Sequence, residues 1–469
     1  IRVRLRDNTV REVSLTEALV SAQDYVDLAG EMPTQNAAVL RLLLAVLFTV
    51  FSRVDTKGKP QPLAQSDDAL ERWSELWQLG HFPAEPVRDY LEQWKDRFWL
   101  FHPTHPFWQV PTISNGIEFD GKKLNGERAE SGNKTPLFQN ISKAECAVLT
   151  YAQAARWLIY QNGYDERGGR PKAGNKPRHG VGWLGQIGFV AVKGKNLYET
   201  LLRNMAFSTE QDALREKQLP CWEREHARTE QSVEIVMPKN QAELLTLQSR
   251  RILLIRSEEM PGVVGYEVLG GDYWDSENAF GEQMTLWRRT SKENEKVTYE
   301  PQQHEMGKQL WRELPAMLDP EGRKPGVLIW NQKLQSLRIL SKKEQIVISV
   351  VGIRYDDQGA SVKDVYTDQL EMQLATLNDL GRKWTVRISR EVQRCEETAK
   401  NIGTLCVELK LAGGLDYNKV KGFKDKQKVT EDARAQFYFA VDQPFRQWLQ
   451  AIDPEQDDPD EAALRGRAQ

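Results

Sequence analysis

The chain has 469 residues with a formal net charge of −3, and 40% of it is hydrophobic and 28% charged. That length exceeds what one hydrophobic core usually supports, and the composition is that of a soluble globular protein. The near-neutral charge excludes a uniformly basic nucleic-acid binder, so any DNA contact must come from local patches or from a basic assembly around the chain.

Taken in chain order, the first 110 residues read as mainly helical. The apolar run Ala37 to Phe51, which contains Arg41, is too short to span a bilayer and reads as a buried helix. Ser66 as N-cap and Gly80 after Leu79 bracket another helix, with Leu70, Trp73 and Trp77 on one face. Phe98 to Pro111 cannot be helical, because Pro103 and Pro106 interrupt it. Asp120 to Lys134 is nearly devoid of hydrophobic residues and reads as a loop. A helix is expected at Ser142 to Gln161, with Ser142 and Glu145 in capping-box register.

Gly163 to Gly185 is rich in Gly, Pro and basic residues. Within it, Arg167, Arg170, Lys172, Lys176 and Arg178 stand among glycines, a pattern suited to phosphates and equally to a solvated loop. Short β-like runs follow at Arg251 to Arg256, Gly262 to Leu269, Gly326 to Trp330 and Gln345 to Gly352. The last of these opens QIVISVVGIRYDDQGASV, which reads as a hairpin with the uncharged Gln358 at its tip. Such a Gln is ordinarily a soluble turn residue, yet an amide can enter a base stack without the desolvation cost of a charge.

Beyond Asp368 the pattern becomes long helices. Trp384, Ile388, Val392, Cys395, Ala399, Ile402, Cys406 and Leu409 recur at spacings of three and four, ending at Gly413 and Gly414. A second helix is expected from Thr430 to about Ile452, bent at Pro444. Between them Lys419, Lys421 and Lys424 belong to a lysine run, read either as a solvated linker or as a phosphate contact. The expected fold is α+β: a large mixed domain with short β-hairpins over residues 1–367, then a C-terminal helical bundle over 368–469.

No catalytic constellation is legible. Gly307-Lys308 is followed by Gln309, so no phosphate loop forms, and the six histidines include no H-E-x-x-H. His102 and His105 read as hydrogen-bonded packing residues before metal ligands. Four cysteines without a C-x-x-C pair argue against a zinc site or a disulfide scaffold, and reduced thiols fit a cytoplasmic protein. No signal peptide is legible, and no cofactor is expected.

The segments REVSLTEAL, LAGEMPTQNAAVLRLLLAVL, HPFWQVP, LFQN, GWLGQIGFVAVKGKNLYETLLRN, LLTLQSRRILL and GIRYDDQGA occur in this order. In that order, and over nearly the whole chain, the sequence resembles the CasA-type large subunits of the type I-E CRISPR Cascade complex. The resemblance implies a protein that recognises a short PAM in duplex DNA, starts strand separation and helps recruit a helicase–nuclease. It also implies residues ahead of Ile1 and helices beyond Gln469. Within LFQN it implies PAM contacts at Phe138 and Asn140, with Gln139 between them. It places a minor-groove glycine loop at Gly168 and Gly169, and a glutamine wedge at Gln358. DNA backbone contacts would come from Arg167, Arg170, Lys172 and Lys176, and from Lys419, Lys421 and Lys424. The implied partners are target double-stranded DNA, a guide RNA held by Cascade backbone and small subunits, and the helicase–nuclease, with no membrane. A lysine finger that the family often carries has no counterpart in LGGDYWD, residues 269–275. The alternative is a scaffold subunit that only couples nuclease to complex.

Overall fold

The computed structural model describes residues 1–125, 148–167, 180–207, 217–230, 237–291, 296–319, 322–359, 361–377, 382–413, 423–455 and 457–468. The chain divides into two units. The first comprises Ile1–Met306, Pro325–Trp330 and Ser349–Thr367; the second comprises Gly307–Lys324, Asn331–Ile348 and Asp368–Gln469. The overall class is the expected α+β one, with small sheets and C-terminal helices.

The first unit opens with β1 (Arg2–Arg4), β2 (Val10–Glu12), α1 (Leu15–Val20) and β3 (Asp27–Leu28), the strands pairing antiparallel in the order β2-β1-β3. Next comes α2 (Pro33–Phe51), whose Pro33 occupies the first helical turn, where its missing N–H is harmless. This helix is longer than its apolar run, and by length and composition it could cross a bilayer. Its most apolar stretch is 94% buried inside the protein, so burial rather than shortness makes it a core helix. The buried Arg41 is tolerated because its guanidinium meets Glu282 at 2.9 Å.

Helix α3 (Ser66–Leu79) is capped by Gln65, one residue earlier than expected, with Asp68 completing a capping box. Asp68 takes the N–H of Ala64 and of Gln65, which moves the cap off Ser66. Gly80 ends the helix at φ 69°, a left-handed conformation that glycine adopts without a Cβ penalty. The buried line runs through Ala69, Arg72, Trp73 and Leu76, while Leu70 and Trp77 are half-buried beside it. After α4 (Ala84–Gln93) the segment beyond Phe98 is non-helical, as its prolines require.

Residues Asp120 to Leu124 are not loop. β4 (Ile117–Asp120) runs into α5 (Gly121–Leu124), where the Asp120 side chain accepts the Lys123 N–H and Lys123 itself is buried. Helix α6 (Tyr151–Tyr164) begins later than expected. Thr150 and Gln153 form its capping box, and Leu149 just before it bridges Val263 in extended conformation. Residues 126–147, including Ser142 and Glu145, lie outside the described residues.

The first unit continues with α7 (Trp183–Gln186), β5 (Phe189–Lys193), α8 (Leu197–Asn204) and α9 (Gln241–Leu245). β6 (Arg250–Arg256) and β7 (Val263–Gly270) match the expected runs, and β4, β7 and β6 form one antiparallel sheet. β8 (Leu286–Arg289) and β9 (Tyr299–Gln302) form a separate pair.

A short α10 (Leu314–Leu318) belongs to the second unit. The run Gly326 to Trp330, expected as a strand, is helical and opens α11 (Gly326–Ser336). Burial at Val327, Leu328, Asn331 and Leu334 follows helical spacing, which the short apolar run alone could not reveal. β10 (Gln345–Tyr355) and β11 (Val362–Gln373) form the expected hairpin and join β5 in a sheet of order β11-β10-β5.

In the second unit, α12 (Arg382–Ala412), α13 (Phe423–Ala451) and α14 (Pro459–Ala468) pack on one another. Trp384, Ile388, Val392 and Ala399 of the expected seam are buried, but Cys395, Ile402 and Cys406 are half-buried and Leu409 is 61% exposed. Helix α13 starts before Thr430, absorbs Lys424 into its first turn, and carries Pro444 within it. Trp311 stacks on Phe445 with ring centroids 4.2 Å apart and donates its indole N–H to Asp442 at 2.9 Å.

Candidate nucleic-acid interface

The β10–β11 hairpin ends in a turn organised by one carboxylate. Asp356 Oδ1 accepts the Gln358 N–H at 3.2 Å, and Asp356 Oδ2 accepts the Ser361 hydroxyl at 2.9 Å. Its main chain accepts the Gly359 N–H at 2.8 Å and donates to Ser361 O at 2.9 Å. An aspartate bonding the backbone two residues on is the standard way such a turn is held. Gly359 sits at φ 68°, where a side chain would be strained. These bonds leave Asp357 and Gln358 exposed at the tip. Ion pairs along the strands, Arg354–Asp364 at 3.7 Å and Lys363–Asp357 at 3.9 Å, are solvent-exposed and add little.

The tip is gripped from one side by the run Tyr164 to Arg167, which leaves the end of α6. Arg167 donates its backbone N–H to Gly359 O at 2.6 Å, Glu166 Oε1 accepts the Val362 N–H at 3.4 Å, and Tyr355 donates its hydroxyl to Tyr164 O at 2.6 Å. Burial raises the Tyr355 phenol well above its ordinary range, so it remains a donor throughout the physiological span. Gly185 lets the phenol approach, since a Cβ there would lie 2.3 Å from the Tyr355 oxygen.

Behind this run stands a buried ionic layer that the sequence did not disclose. Lys123 reaches Glu166 Oε2 at 2.5 Å. Arg250, only 2% exposed, donates from Nε to Asp165 Oδ2 at 2.6 Å and from Nη1 to Ser249 O at 2.8 Å. Its Nη2 reaches Asp165 O at 3.2 Å, Glu166 O at 2.9 Å and Gly180 O at 2.9 Å. A planar guanidinium is suited to gather several acceptors in this way. The one available signal was the pair of arginines opening an apolar strand, since a buried charge must find partners.

Two predicted contact residues therefore come together: Gln358 at the tip and Arg167 beside it, both exposed, joined through the Arg167–Gly359 backbone bond. Phe138, Gln139, Asn140, Gly168, Gly169, Arg170, Lys172, Lys176, Lys419 and Lys421 lie outside the described residues, and Lys424 stands in the first turn of α13. In the stretch Leu269 to Asp275, Asp272 is buried and paired with Arg251 at 2.6 Å.

Among the described residues no group of three His, Cys, Asp or Glu side chains is placed to hold a metal ion. The His102 ring accepts the His105 N–H at 3.0 Å, and the His105 ring lies 3.1 Å from Glu225 O, so both imidazoles are hydrogen-bonded. Burial pushes the Cys221 and Cys395 thiols up to about 11, which leaves them protonated and weakly nucleophilic near neutrality.

The model of the family of CRISPR-associated protein Cse1 matches residues 1–469. The CRISPR-associated protein CasA/Cse1 of Thermus thermophilus is 35% identical over 225 residues, which is 47% of this chain and 40% of that relative's length. The crystal structure of Thermobifida fusca Cse1 matches at a TM-score of 0.80 and 29% identity, covering 100% of this chain and 87% of that one. Cse1 from Acidimicrobium ferrooxidans matches at 0.77 and 25%, covering 100% of this chain and 90% of that one.

Proposed function

The chain belongs to the CRISPR-associated Cse1 family, the CasA-type large subunits of type I-E Cascade, and on that premise we propose that it inspects duplex DNA for a short PAM and opens the strands with Gln358. The observation that carries this reading is an uncharged amide held out to solvent on a turn whose backbone is fixed from two directions. A wedge must enter a base stack without collapsing, and an amide does so without the desolvation penalty of a charge.

In this mechanism guide RNA supplies sequence specificity by pairing, while the protein reads only a short duplex element. Phe138, Asn140 and the glycines Gly168 and Gly169 engage the PAM from the minor groove, with Gln139 between the first two. The degenerate donor and acceptor pattern there makes several PAM sequences acceptable. Arg167, adjacent to Gln358, holds a phosphate at the point of opening, and Arg170, Lys172, Lys176, Lys419, Lys421 and Lys424 add sequence-independent contacts. Unstacking costs roughly a few kcal/mol and is offset by protein contacts and RNA–DNA pairing. Backbone and small subunits complete the assembly in the cytoplasm, and a separate helicase–nuclease is recruited afterwards. The chain itself performs no catalytic step.

The test is strand opening by the assembled guide-RNA complex with wild-type chain, with Gln358→Ala, and without the chain, on targets with and without a PAM. The expected result is PAM-dependent opening that requires the chain and collapses in Gln358→Ala. Opening and PAM preference that are the same without the chain would assign it the scaffold role instead.

A further inference from the structure

Gln358 is exposed, and nothing at the tip alone decides where it points relative to DNA. Three bonds, at Tyr355, Gly359 and Val362, tie the hairpin on both sides of the turn to Tyr164, Arg167 and Glu166, within the run Tyr164 to Arg167. The middle two residues of that run are in turn held by one buried guanidinium, which takes the Asp165 carboxylate and the main-chain carbonyls of both Asp165 and Glu166, while Lys123 holds the Glu166 carboxylate. The same Nη2 also holds Gly180 O, and the Gly182 N–H donates to Asp165 O at 3.0 Å, so Gly180 and Gly182 are fixed to the same run.

We propose that Arg250 is the positioning residue for the Gln358 wedge: it sets the Tyr164–Arg167 run, and that run sets the aim of the hairpin tip. The inference rests on the wedge reading above. Arg250 lies on β6, remote in sequence from the hairpin, and it reaches the hairpin through Asp165 and Glu166. Its geometry, more than its charge, is what matters, because a lysine ammonium cannot reach the same spread of acceptors from one planar fork.

The experiment uses the full guide-RNA complex and a target carrying 2-aminopurine in the first base pair beneath the PAM, whose fluorescence reports unstacking. The variants are Arg250→Lys, Gln358→Ala and the double variant, each checked for assembly and for binding to DNA without a PAM. Arg250→Lys is expected to assemble and bind such DNA like wild type, yet to slow PAM-dependent unstacking roughly tenfold through lost charge-assisted hydrogen bonds. In the Gln358→Ala background it is expected to add nothing, because the wedge it aims is gone. Wild-type unstacking by Arg250→Lys, or effects that multiply in the double variant, would overturn the proposal while leaving the wedge intact. Wild-type unstacking by Gln358→Ala would instead remove the wedge reading itself. Should Arg250→Lys fail to assemble, Tyr355→Phe decides, since it removes one bond of the same cradle without stranding a charge. A fall that disappears in the Gln358→Ala background supports the proposal, and unchanged unstacking overturns it.

Discussion

The hairpin tip and the C-terminal helices are built on opposite physical plans. The tip keeps the Gln358 side chain in solvent and fixes its backbone with polar pins, drawn from Asp356 on one side and from Tyr164 to Arg167 on the other. The helices α12 and α13 rely on apolar contact: the α12 side of their seam is buried at Trp384, Ile388 and Val392, then loosens until Leu409 is 61% exposed. The difference teaches that exposure has two meanings here. At Gln358 it accompanies a turn backbone held at Asp356, Gln358 and Gly359, whereas at Leu409 it marks where burial runs out.

The sharpest way to break the contrast is Arg250→Met. It strands the Asp165 carboxylate among buried groups, so the first unit should lose about 4 kcal/mol in urea denaturation followed by tryptophan fluorescence. Next in size is Ile388→Ala in the closed part of the seam, which should cost about 3 kcal/mol, while Leu409→Ala in its open part should change stability by less than about 0.5 kcal/mol. Equal losses from the two would mean that the gradient along the helices has no energetic meaning.

A smaller effect is expected from Gly359→Ala. A side chain at φ 68° costs roughly 1–2 kcal/mol, and the new Cβ would lie 3.0 Å from that of Arg167. Thermal denaturation should register the loss, and strand opening should slow because the strain falls on the turn that carries Gln358.

The smallest concerns Glu396, which joins polar and apolar plans in the second unit. Burial pushes its carboxyl up, but hydrogen bonds from Arg312 at 2.7 Å and Tyr438 at 2.5 Å outweigh this and hold it below its ordinary range. A carboxyl depressed in the folded state stabilises above its unfolded pKa of about 4.3 and loses that contribution as pH falls through the folded value. Glu396→Gln should therefore be less stable than wild type at pH 7 by roughly 1 kcal/mol, discounted for partial exposure, and the gap should close on acidification. A gap independent of pH would mean that packing, not charge, is what the substitution disturbs.

Much of the hairpin was legible in the sequence. A β-run followed by Asp356, Asp357, Gln358 and Gly359 specifies both the turn and the exposed amide, because local chemistry determines both. Helix boundaries were less legible where the same signal occurs twice. Ser142 with Glu145 and Thr150 with Gln153 are equivalent as capping boxes, and only the bridge from Leu149 to Val263 places the start of α6 after the second. Gly326 to Trp330 misled for a related reason: five apolar-rich residues carry no period, and the helix declares itself only through Asn331 and Leu334. The buried ionic layer was beyond local reading altogether. Arg250 meets Asp165 across 85 residues of sequence, and no spacing rule reports such a partner.

Because one guanidinium holds the carbonyls of both Glu166 and Gly180, these two points of the chain are fixed close together. For a segment joined between fixed ends, each doubling of length costs only about 0.6 kcal/mol. A change of chain length beyond Arg167, before the second of these anchored carbonyls, is therefore expected to disturb the hairpin little. The arrangement separates chain length, which can vary beyond Arg167, from the backbone of Tyr164 to Arg167, which must keep its bonds to the hairpin.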